Sequence, residues 1–233
     1  MKTNILYLPL NKKETLSCSA LGLIYLALGL LLVPQRFGLF SLIAMVITGA
    51  AIFLTRDFWK QTFFNASLLG KRIWLRPILA ALLNLVLCTC ANDILLFYEV
   101  PYFVSSGWGP VLWNVRASLL ASQSLFWPTA LVFVLILPIA EQLIFQQLLS
   151  TLIYPKSRFL TGILFIALFT AFQCIGFVGM VDRTYWIIYA FQFIPMSLFL
   201  YWMYHGNDSI LSPIVMHMLC NALVVRTALN YMT

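Results

Sequence analysis

The sequence predicts an all-α fold: a polytopic integral membrane bundle of about seven transmembrane helices, with six and eight as the bounds. Three observations predict it. Of 233 residues, 62% are hydrophobic and only 9% are charged, whereas a soluble domain carries about 25% charged residues. Mean hydropathy is +0.94. The apolar residues also fall into runs of about 20, the length that crosses a bilayer as a helix.

The runs place spans at 16–34, 37–55, 75–97, 124–153, 159–180, 184–204 and 209–230. Lysines precede the first run, as they do in a signal peptide. No small-x-small cleavage pattern follows and six more apolar segments do, so it reads as a span. Between the second and third spans, residues 56–76 mix aromatics with cations (Arg56-Asp-Phe-Trp-Lys-Gln-Thr-Phe-Phe, then Lys71-Arg72). That mixture predicts an interfacial stretch lying on the membrane. Residues 98–122, rich in Pro, Gly, Trp and Tyr, are expected at the opposite interface. The chain reads as one membrane domain: N-terminal spans over 1–123 and a core over 124–233.

Charge sets the orientation. With the N-terminus inside, the inner side carries Lys2, Lys12, Lys13, Arg56, Lys60, Lys71, Arg72, Arg76, Lys156 and Arg158. The outer side carries Arg36, Arg116, Arg183 and Arg226. This bias predicts N-in. The formal charge of +7 is explained by topogenic cations meeting anionic head groups, so membrane lipid is the expected partner and nucleic acid is not. The five cysteines (Cys18, Cys88, Cys90, Cys174, Cys220) all lie in apolar segments and read as small buried hydrophobes without disulfides. His205, at a span end before Gly206, is expected at the surface.

Glu141 is the only charged residue between Arg116 and Lys156. A carboxylate at the centre of a span costs about 2.5–3.5 kcal/mol on insertion scales, and such residues face a bundle interior or a wet cavity. Three polar clusters occur in the last four spans. The first is Glu141-Gln142-x-x-Phe145-Gln146-Gln147, the second Phe169-x-x-x-Gln173, and the third His217-x-x-x-Asn221. Gln142/Gln146 and His217/Asn221 are each four apart, so each pair shares a helix face. A bundle can aim Glu141, Gln173, His217 and Asn221 at one cavity. The chain has two histidines and no His-Glu-x-x-His, so neither a metal site nor any other cofactor is expected.

These clusters resemble the three motifs of the CAAX-protease and bacteriocin-processing (CPBP) family of intramembrane glutamate proteases: Glu-Glu-x-x-x-Arg, Phe-x-x-x-His and His-x-x-x-Asn. Order, spacing and span placement agree over about residues 124–230, and Ser212-Pro213 precedes the third motif as is common in the family. The resemblance implies catalytic positions at Glu141, Gln173, His217 and Asn221. Glu141 would activate a water, the second-motif residue would hold it, and His217 and Asn221 would stabilise the oxyanion. Gln142, Gln146, Phe145 and Phe169 would support them. It also implies a multi-pass protein of the cell membrane, with a bacterial plasma membrane as the expected setting.

Three positions depart from the family pattern: Gln142 stands for the second glutamate, Gln146 for the arginine and Gln173 for the histidine. The first two changes keep the charge balance, and Gln142 and Gln146 can bond to each other. Gln173 can hold a water but cannot relay a proton. With no arginine beside it, Glu141 is expected to be substantially protonated at pH 7 unless His217 pairs with it, and a neutral acid is a poor general base. The leading expectation is therefore an impaired or inactive protease scaffold that binds a peptide or membrane-protein partner in a regulatory, immunity or complex-subunit role. The alternatives are an active metal-independent intramembrane endopeptidase with Glu141 as general base, and a transporter or channel component.

Overall fold

The computed structural model describes residues 8–33, 36–97, 117, 120–175, 186–207, 209–230 and 232. Among them are eight helices: α1 (Lys12–Leu32), α2 (Phe37–Leu54), α3 (Arg56–Leu69), α4 (Arg72–Phe97), α5 (Phe126–Ile153), α6 (Arg158–Cys174), α7 (Trp186–Asn207) and α8 (Leu211–Leu229). The all-α membrane bundle is as expected. Five helices, α1, α2, α4, α5 and α8, are long and apolar enough to cross a membrane. α6 is shorter, with 17 residues, and α7 has 22. The expected fifth span to residue 180 is helical as far as Cys174, and residues 176–185 lie outside the described ones. Most of the expected interfacial stretch 98–122 also lies outside them.

Local chemistry sets several helix ends. Asn11 and Glu14 form a capping box at the start of α1, satisfying two otherwise unpaired amides. Glu14 does a second job: its Oε1 accepts from Phe58 N at 3.2 Å, placing a carboxylate at the start of α3, where the helix dipole favours it. α3 ends at Gly70, whose φ of 57° is open to glycine. Ser157 caps α6 by accepting from Leu160 N.

α5 is the hub. Its most apolar window is 67% buried, against 22% for α1, and α1, α2, α6 and α8 all pack on it. Two π-helical stretches interrupt it, at Val132–Ile136 and Gln142–Leu148. The first has a cause in Pro138. Leu137 N donates to Val132 O rather than to Phe133 O. The i+5 partner that a π turn would offer Phe133 is Pro138, which has no N–H. The carbonyl of Phe133 therefore needs a donor from elsewhere.

α1 approaches α5 and α6 along Cys18, Gly22, Tyr25 and Gly29, all buried. A Cβ on Gly22 would meet Ile144 Cγ2 at 3.2 Å, and one on Gly29 would meet Phe172 Cε2 at 2.7 Å. Small residues here let the backbones close up, and that closeness carries Tyr25 into the core. Large apolar side chains on the outer helices, such as Leu23 and Leu31 at 70% and 73% exposed, face away from the bundle, as lipid-facing positions do.

Two expectations are corrected. Cys90 is exposed and Cys174 half-buried, while Cys18, Cys88 and Cys220 are buried. Cys88 and Cys90 diverge because two residues turn a helix by about 200°. His205 is not a free surface residue: it is half-buried, stacked on Tyr154 at 4.5 Å and edge-on to Tyr201 at 4.3 Å. The end of α7 crosses the end of α5 there, which closes over the ring.

Candidate functional site

Glu141 lies between the two π stretches of α5 and is 5% exposed. Its carboxylate gathers donors from three other helices. Gln173 Nε2, in the last turn of α6, donates to Oε2. His217 Nε2, on α8, stands 3.7 Å from the same oxygen. Tyr25 OH, on α1, donates to Oε1 at 3.3 Å. Two hydrogen-bond donors and an imidazole nitrogen thus surround one carboxyl group.

His217 is 1% exposed. Its Nδ1 lies 3.4 Å from Gln142 Nε2. With the amide nitrogen facing the ring, Nδ1 accepts and the proton sits on Nε2, toward Glu141; amide orientation and tautomer are assigned together by this network. A glutamate at position 142 would instead accept from Nδ1. In this amide orientation the imidazole N–H points at Glu141. Phe169 stands edge-on to the imidazole at 5.5 Å, and Phe145 edge-on to Phe169 at 6.0 Å. These two aromatics form the wall behind His217.

Glu141, Gln173 and His217 therefore meet, as expected, and Gln142 joins them through His217. Gln173 is placed correctly because α6 ends at Cys174, which brings its last turn to the level of Glu141. Asn221 and Gln146 are engaged elsewhere. Asn221 Nδ2 donates to Phe133 O at 2.8 Å, supplying the donor that Pro138 withholds. Gln146 Nε2 donates to Leu200 O at 3.0 Å, not to Gln142. The expected Gln142–Gln146 bond is absent because each amide finds a partner on a neighbouring helix. Gln147 binds Leu8 O at 2.7 Å and accepts from Tyr204 OH at 2.6 Å. The three glutamines of the first motif thus tie α5 to α8, to α7 and to the segment ahead of α1. The carbonyl oxygens of Gln142 and Gln146 are buried without a partner among the described residues.

Two contributors were not singled out from the sequence. Tyr25 is 0% exposed and packed between Phe40 and Phe172. Its signal was a lone hydroxyl between Gly22 and Gly29 on one helix face. Glu14 was legible as Asn-x-x-Glu ahead of an apolar run. Among the described residues, no three His, Cys, Asp or Glu side chains are grouped as metal ligands would be.

The chemistry on hand is a carboxylate, an imidazole whose N–H points at it, and amide donors in a water-poor core. Residues 123–223, which take in α5, α6, α7 and most of α8, match the family model described as type II CAAX prenyl endopeptidase Rce1-like. No curated protein and no solved structure matches the chain. Over that segment, with Glu141 and His217 paired at its centre, the chain is similar to the Rce1-like family of type II CAAX prenyl endopeptidases.

Proposed function

We propose that this protein is a non-hydrolytic member of its family that works by binding a peptide or a membrane-protein partner, in a regulatory, immunity or complex-subunit role. One observation carries the reading: the groups that hydrolysis would need are already engaged inside the protein. Both oxygens of Glu141 already accept from protein donors, and such hydrogen bonds lower the basicity that a general base needs. The amide of Asn221, the family's oxyanion donor, is held by Phe133 O. Gln173 can donate a hydrogen bond but cannot take up a proton.

A restoration series tests this. The native chain, purified and reconstituted, is expected to leave peptide and membrane-protein substrates uncut. Gln142→Glu with Gln146→Arg, followed by Gln173→His, should bring hydrolysis back only when all three are present. Cleavage by the native chain that disappears in Glu141→Ala would reverse the conclusion. A partner complex that survives Glu141→Ala would support the binding role.

The second reading is an active metal-independent endopeptidase. The 3.7 Å approach of His217 Nε2 to Glu141 Oε2 favours it, because a base and a proton donor are already paired. Native activity in the first arm of the series would select it.

A further inference from the structure

A groove of about 750 Å³ runs between α3, the start of α4, α5 and α8. Trp59, Phe63 and Trp74 form its outer wall, and Ile139, Ile214 and Met218 its inner wall. Lys71 stands on its lining, exposed and without an ion pair among the described residues. The indole N–H of Trp59 is buried with no acceptor among the described residues. The groove thus joins a long hydrocarbon surface to one free cation and one unused donor.

Residues 56–76 add to this charge. They hold Arg56, Lys60, Lys71, Arg72 and Arg76 against the single acid Asp57, and Asp57 is taken by Lys60 at 3.8 Å. Clustered cations on an amphipathic membrane-surface helix attract anionic lipid. Phe63, Phe64 and Leu68 are exposed on α3, so the helix presents an apolar surface beside its cations. A peptide would bring backbone N–H and C=O groups that such a wall leaves unpaired. An acyl chain brings none.

We propose that this groove binds one anionic phospholipid, its acyl chain along Ile139, Ile214 and Met218 and its phosphate at Lys71. The inner wall is also the back of the functional site. Ile139 lies two residues before Glu141 on α5, and Ile214 and Met218 flank His217 on α8. A lipid seated there bears on both helices that carry the central pair. The proposal needs no hydrolysis and stands whichever reading of Glu141 holds.

The test uses the full chain in detergent, with native mass spectrometry to count retained lipid. Phosphatidylglycerol should be retained where phosphatidylcholine with the same chains is not. Lys71→Gln should lower that retention about fivefold, the effect of one near-surface cation. Lys60→Gln, on the neighbouring helix α3 but outside the groove lining, should change it less than twofold. Val215→Trp, which fills the groove, should abolish binding. Should that variant fail to fold, a photoactivatable phosphatidylglycerol is expected to crosslink within 59–74 and 211–218. Equal retention of both lipids, equal losses for Lys60→Gln and Lys71→Gln, crosslinks mapped elsewhere, or displacement by an equal concentration of free fatty acid would each overturn the proposal.

Discussion

Tyr25 and Glu141 meet across 116 positions of sequence, and their contact sets the character of the core. An amide at Gln173 stands where the family pattern has a histidine, and a phenol from α1 lies outside that pattern, so neutral donors hold the carboxyl group among apolar residues. Hydrogen bonds to a charged group are worth roughly 1.5–3 kcal/mol. Tyr25→Phe is therefore expected to destabilise the reconstituted protein by about that amount, read from its unfolding in a denaturing detergent. The same substitution should shift the infrared carboxylate band that Glu141→Gln removes. A band untouched by Tyr25→Phe would mean that the hydroxyl does not reach Glu141. At this scale the sequence was informative wherever a motif residue stayed in its motif. Glu141, His217 and Gln173 converge as their spacing suggested. Tyr25 carried only the hint of its flanking glycines, because nothing in a linear pattern tells which helix that face of α1 will meet.

At the level of the element, α5 explains why Asn221 is engaged. Pro138 and the π turn before it leave Phe133 O without a backbone donor, and Asn221 fills the gap. Asn221→Ala should cost about 1–3 kcal/mol, the penalty of an unsatisfied buried carbonyl. Combined with Pro138→Ala, which restores an N–H at position 138, the loss should shrink. A double-mutant cycle measures that coupling, and strict additivity would refute the link. The glycines of α1 give a second case. Gly29→Ala drives a Cβ to 2.7 Å from Phe172, whereas at Gly22 the clearance is 3.2 Å. Overpacking of this kind costs about 1–3 kcal/mol, so Gly29→Ala should lower thermal stability more than Gly22→Ala. The reverse order would show that α1 can shift away. Helix existence was plain from apolar run length, yet the π stretches were not. They depend on where a proline's missing donor falls and on which side chain answers it.

For the molecule as a whole, the cation bias predicts N-in. Single cysteines at Asn65→Cys and Met232→Cys, in a chain whose native cysteines are replaced by alanine, should label from opposite faces of the membrane. Labelling of both from one face would refute an odd number of spans between α3 and the end of the chain. The same bias predicts α3 and its groove at the inner surface, where anionic head groups are concentrated.

By itself the sequence determined that this chain is a membrane-spanning helical bundle, because its run lengths and scarcity of charge leave no other way to satisfy the backbone in lipid. It also grouped Glu141, Gln173 and His217, because they fall in order on three helices at a family's motif spacing. Only the tertiary structure decided how that site is closed. The partner of Glu141 on α1, Tyr25, and the carbonyl that takes Asn221, that of Phe133, both lie outside the motifs. Their roles arise from helices brought close by small residues, and from one proline that leaves an acceptor unsatisfied.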